Sequence, residues 1–95
     1  MLKAVSSFET ERASRYLQAM FKHFAHKVQV SYDPERGAAA MPYGKLDMFV
    51  RDGVLHFEIE AESAELLDRM KYVVDAHIVR FAFREKLAGL QWSDA

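Results

Sequence analysis

Two helical stripes set among runs of alternating apolar residues predict a two-layer α+β sandwich. The order read along the chain is β-α-β-β-β-β-α-β. Three observations carry this. Apolar residues recur at helical spacing over Ala13–Phe24 and again over Leu66–Phe81. They alternate at period two on either side of Asp52-Gly53. Two helices with apolar stripes must bury them, and one face of a mostly antiparallel sheet is the economical place.

Taken in order, residues 2–8 form a short strand. Thr10 suits a helix N-cap, with Glu11 in a first turn where the dipole favours a carboxylate. Ala13, Tyr16, Leu17, Met20, Phe21 and Phe24 then make an i, i+3, i+4, i+7 stripe, and the helix runs to about residue 25. Val28, Val30 and Tyr32 alternate with polar residues as a strand. Asp33-Pro34-Glu35-Arg36-Gly37 is a turn cluster, residues 38–42 are a weak strand, and Pro42-Tyr43-Gly44 breaks it. Arg36-Gly37 and Tyr43-Gly44 read as turn chemistry.

Asp52-Gly53 is a favoured two-residue hairpin turn. Pairing Arg51 with Val54 sets Val50 opposite Leu55, Met48 opposite Phe57 and Leu46 opposite Ile59. All six apolar residues then share one face. Lys45–Glu60, Asp47–Glu58 and Phe49–His56 fall on the other. Ser63 caps the second helix, with Glu65 in its first turn. Leu66, Leu67, Met70, Val73, Val74, His77, Ile78 and Phe81 are its stripe, and it ends near Phe83. Leu90 and Trp92 share a parity and mark a last strand.

The composition narrows the function classes. The chain has 95 residues, read as a single domain over 1–95, with 51% hydrophobic and 28% charged residues. It has no cysteine, which removes disulfides, thiolate metal sites and cysteine nucleophiles. The net charge of −1 gives no global field for nucleic acid or membrane. Only Ala4-Val5 separates Lys3 from Ser6, too short for a signal peptide's apolar stretch. The expectation is a soluble cytoplasmic protein that binds neither nucleic acid nor membrane.

The phrases Arg15-Tyr16-Leu17, His23-Phe24-Ala25-His26-Lys27 and Arg80-Phe81-Ala82-Phe83-Arg84-Glu85 resemble one family of small bacterial proteins. That family is catalogued as domain of unknown function 2218. The resemblance runs from Thr10 to Trp92 and includes Gly44 and Asp52-Gly53. It implies a stand-alone cytoplasmic protein and an association with siderophore-interacting flavoproteins. It implies no chemistry. The chain departs from the family pattern at Ala38-Ala39-Ala40 and at Ala88-Gly89, which predicts poorer edge strands than in relatives.

Three constellations stand out. His77, Arg80 and Arg84 are spaced i, i+3, i+7 along one side of the second helix. Cations at a helix C-terminus are stabilised by about 0.3–1 kcal/mol each, so a structural role is sufficient. The sharper reading is an anion pocket. The two arginines would clamp a carboxylate or phosphate through bidentate hydrogen bonds, and His77 would bond to it or transfer a proton. His23 and His26, with His77 or Glu85, could share a metal ion or haem if the two helix ends meet. Parallel helices would bring those ends together and antiparallel helices would not. Last, Asp47 opposite Glu58 could mark a cation site or a raised carboxyl pKa, but a solvated face accounts for it.

The leading function is a non-catalytic binding protein for an anionic ligand or an iron–siderophore pathway partner, using His26, His77, Arg80 and Arg84. No catalytic residue and no cofactor is assigned. One alternative is a metal- or haem-binding protein or enzyme built on His23, His26 and His77. The other is a homodimeric interaction module, with exposed Phe49 and Trp92 and open edge strands as its surface.

Overall fold

Each predicted element finds a counterpart in the computed structural model, which describes residues 1–95. The elements are β1 (Leu2–Glu9), α1 (Ala13–Phe24), β2 (Val30–Tyr32), β3 (Arg36–Met41), β4 (Gly44–Arg51), β5 (Val54–Ala61), α2 (Ala64–Phe81) and β6 (Ser93–Asp94). A 3₁₀ turn at Phe83–Glu85 follows α2. The strands form one sheet of order β2-β3-β4-β5-β1-β6, antiparallel at every pairing. Both helices lie on the same face. No helix is long and apolar enough to cross a membrane.

The β4–β5 hairpin has the predicted register, from Arg51↔Val54 to Lys45↔Glu60. Asp52 and Gly53 both adopt positive φ, as a type I′ turn requires. Leu46, Met48, Leu55, Phe57 and Ile59 are buried. They meet Leu17, Met20 and Phe21 of α1 and Met70, Val74 and Ile78 of α2 in one core. Ser63 caps α2 as expected, its hydroxyl accepting from the Leu66 amide at 3.2 Å.

Several boundaries differ from expectation. Thr10 does not cap α1. The helix begins at Ala13, and no carboxylate stands in its first turn. Thr10 instead closes a local turn, accepting from the Arg12 amide at 3.1 Å while its own hydroxyl is committed elsewhere. Val28 is outside β2 because its amide donates to the Phe24 carbonyl. Arg36 and Gly37 belong to β3, so the turn shrinks to Asp33–Glu35, where the Asp33 carboxylate accepts from the Glu35 and Arg36 amides. This pair of bonds holds the Asp33 pKa below its usual value. The last strand is Ser93–Asp94, shorter and later than predicted.

Two glycines assigned to turns are required by close packing instead. A Cβ on Gly44 would lie 2.0 Å from the Glu60 carbonyl oxygen, and one on Gly37 would lie 2.6 Å from the Phe21 ring. At these points the sheet folds against itself and against α1 more tightly than any larger residue permits.

Candidate functional site

The flank between α1 and α2 brings together the chemistry-bearing residues of the two helices. Val73, His77 and Phe81 recur every fourth residue, so they share the side of α2 that faces α1. On α1, Phe24 turns into the core while His23 stays exposed on the rim. The His23 and His77 rings come to 5.0 Å between centroids. Phe24 packs edge-on against His77 at 4.9 Å, and Phe81 packs edge-on against His23 at 6.1 Å.

Antiparallel helices do meet here, contrary to the expectation that only a parallel pair could. Tyr16, early in α1, bonds to Glu85 beyond the end of α2, while His23, late in α1, touches His77 inside α2. The helices therefore run in opposite senses. The meeting survives because α1 has 12 residues and α2 has 18, so α1 ends beside the body of α2.

His77 has a defined tautomer. Its Nδ1 lies 2.7 Å from the Val73 carbonyl oxygen, and a carbonyl can only accept, so Nδ1 carries the hydrogen. In the neutral ring Nε2 is then the acceptor. The His23 pKa is lowered, first by partial desolvation where its ring lies against Phe24, His77 and Phe81, and then by the charges of His77, Arg80, His26 and Lys27. Each of these groups is cationic or becomes so on protonation; no carboxylate contributes.

The other predicted residues divide. Arg80 lies in the last turn of α2, exposed and without an ion-pair partner. Arg84 does not continue the row of His77 and Arg80. The α-helix stops at Phe81, the chain tightens to 3₁₀, and the Arg84 guanidinium lies over its neighbour Phe83 at 5.7 Å. His26 stands on the exposed turn after α1, its amide donating to the His23 carbonyl. No three His, Asp or Glu side chains converge to hold a metal ion, so His23, His26 and His77 do not close into a ligand set. Two of the three imidazoles meet, and the third has left the helix.

One constellation escaped the sequence reading. The Glu85 carboxylate accepts from the Thr10 hydroxyl at 2.8 Å and from the Tyr16 phenol, both on Oε2. Arg12 approaches the same oxygen at 3.8 Å. The Tyr16 pKa is raised, first by burial and then by its hydrogen bond to Glu85 and the charge behind it, with Arg12 opposing. This knot ties the chain after α2 to the entry of α1. Only the place of Glu85 in the Arg80–Glu85 phrase hinted at it.

Trp92 is not an exposed contact residue. It is half-buried, edge-on to Phe57 at 6.2 Å, and its indole N–H donates to Asp75 at 2.9 Å. Phe49 is also half-buried and stacks on His56 at 4.6 Å. Asp47 and Glu58 stand opposite each other as predicted, on the face of the sheet away from the helices.

The family DUF2218, described as an uncharacterized protein conserved in bacteria, matches residues 5–93. Among solved structures the chain is similar to PA4090 from Pseudomonas aeruginosa, determined by NMR. The two share 28% sequence identity over 98% of this chain and 96% of that one, with a TM-score of 0.80. No curated protein matches.

Proposed function

Because the chain belongs to DUF2218, a family of uncharacterised bacterial proteins, we propose a function read from its own residues: a non-catalytic binding protein that holds a small anion at the α1–α2 flank. The observation that carries this reading is the contact between the His23 and His77 rings beside an unpaired Arg80. The positive neighbours of His23 repel its proton, and an anion is the counter-charge they lack. Bound there, it accepts from the Arg80 guanidinium and from a His23 N–H; His77, whose neutral-ring N–H goes to the Val73 carbonyl, donates from Nε2 only in its protonated form. His26 and Lys27 border the site and add field rather than fixed contacts. Arg84, turned over Phe83, is outside it. The siderophore association implied by the family resemblance enters only as a choice of probe. Citrate, an iron-chelating tricarboxylate, is paired with inorganic phosphate.

The test is an NMR titration of the full chain with phosphate and with citrate, following the imidazole C–H signals. Saturable shifts at His23 and His77, together with a rise in the His23 pKa, are expected. Arg80→Gln should weaken binding about tenfold, as expected for loss of one charge-assisted hydrogen bond. If the imidazole signals move only as far as ionic strength alone moves them, and Arg80→Gln changes nothing, the reading is wrong.

A further inference from the structure

With both helices on one face, the other face of the sheet is bare. It carries a groove of about 570 Å³ between β2 and β5. Arg36, Arg51, Asp33, Asp47, Glu58 and Phe49 are among the residues that line it. The register places Arg36 opposite Phe49, and places Asp47 opposite Glu58. These two rows lie two residues apart along the strands, about 7 Å.

Arg36 and Asp47 are therefore diagonal neighbours, within reach of each other's long side chains. They form no ion pair. Arg51 and Glu58 also lack one, and Asp47 engages only Lys45, at 3.7 Å. Charges of both signs thus face one hollow with no ion pair joining one lining residue to another. Phe49 stands among them, its ring stacked on His56 at 4.6 Å and 9°.

The geometry points to a binding site on this groove for a small zwitterion bearing an aromatic ring. Its carboxylate bonds to Arg36 and Arg51, its ammonium to Asp47 and Glu58, and its ring lies against Phe49. A simple anion is repelled by Asp33, Asp47 and Glu58, and a simple cation by Arg36 and Arg51. A molecule with both charges satisfies both poles. A free amino acid and a short peptide offer the same groups at different separations.

The experiment is an amide-shift NMR titration of the full chain with L-phenylalanine and with L-phenylalanyl-glycine. Two controls each lack one charge: 2-phenylethylamine and 3-phenylpropionate. The expected result is saturable shifts at Phe49, His56 and Glu58, with each control binding about tenfold more weakly or worse. The tighter of the two zwitterions identifies the source. Glu58→Gln and Arg36→Gln should each weaken binding about tenfold with the melting temperature unchanged. The His23 and His77 signals should stay still, which separates this site from the anion site on the far side. Three results overturn the proposal. One is absence of saturable shifts, and another is equal binding of a one-charge control. The third is self-association of the chain that buries the groove.

Discussion

Replacing Glu85 by alanine tests the largest polar tie in the molecule. The Glu85 side chain is only 20% exposed and accepts from Thr10 and Tyr16 on one oxygen. A hydrogen bond to a charged group contributes about 1.5–3 kcal/mol. Partial exposure favours the lower end, so the two together contribute about 3 kcal/mol. The half-exposed Arg12 pair adds less than about 1 kcal/mol. In a chain of this size 1 kcal/mol moves Tm by about 4–8 °C, so Glu85→Ala should lower it by about 12–24 °C. The alanine also strands the phenol of Tyr16, which is 6% exposed and loses its acceptor. Urea unfolding gives the free energy directly. Glu85→Gln keeps an accepting oxygen without the charge and should lose only about 1 kcal/mol. In a double-mutant cycle Tyr16→Phe and Glu85→Ala should couple by about 1 kcal/mol. If Glu85→Ala changes stability by less than about 0.5 kcal/mol, or the two substitutions add without coupling, the knot contributes nothing and this reasoning fails.

Three further outcomes are expected. Gly44→Ala should destabilise by at least about 2 kcal/mol in urea unfolding, because its methyl meets the backbone oxygen of Glu60, which cannot yield without breaking the β4–β5 ladder; a wild-type midpoint would show that the strands have room. His23 titrates below its ordinary 6.5 in the folded chain, so unfolding takes up a proton. Its contribution is full above about pH 6.5 and is lost as pH falls through the lowered value, so unfolding midpoints should drop on acidification and His23→Gln should flatten that slope. Tyr16 titrates above 10.0, so its contribution is full below that pH and is lost as pH rises through the raised value. Tyr16→Phe should remove a phenolate absorbance step above pH 10.0, and an unchanged step would contradict the burial of this phenol.

Periodicity and turn chemistry were enough for the hairpin. Asp52-Gly53 and the alternation of Leu46, Met48 and Val50 against Leu55, Phe57 and Ile59 are local signals, and the register set by the two-residue turn puts all six on one face. The Ser63 cap is local in the same way. Thr10 misled because the same hydroxyl that suits a cap is drawn away by a carboxylate 75 residues downstream. Gly37 and Gly44 misled because turn propensity and close packing call for the same residue, and only the neighbours Phe21 and Glu60 tell the two apart.

The candidate site was half legible. His77 and Arg80 could be placed on one side of α2 from spacing alone. Their contact with His23 could not, since it depends on how far α1 extends alongside α2. The failure of Arg84 to continue the row depends on where the α-helix tightens to 3₁₀.

By itself, then, the sequence determined the elements, the apolar face of each, the hairpin register and the two-layer arrangement. These follow from backbone hydrogen-bond periods and from burial, which act over a few neighbouring residues. The tertiary structure alone decided the strand order and the antiparallel sense of the helices. It also decided the meeting of His23 with His77, the Glu85 knot and the opposed charges of the bare face. Those contacts join segments as far apart along the chain as Ala4 and Asp94. Their geometry is set by the packing of the whole core, where a side chain's partner depends on three-dimensional fit rather than on its neighbours in the chain.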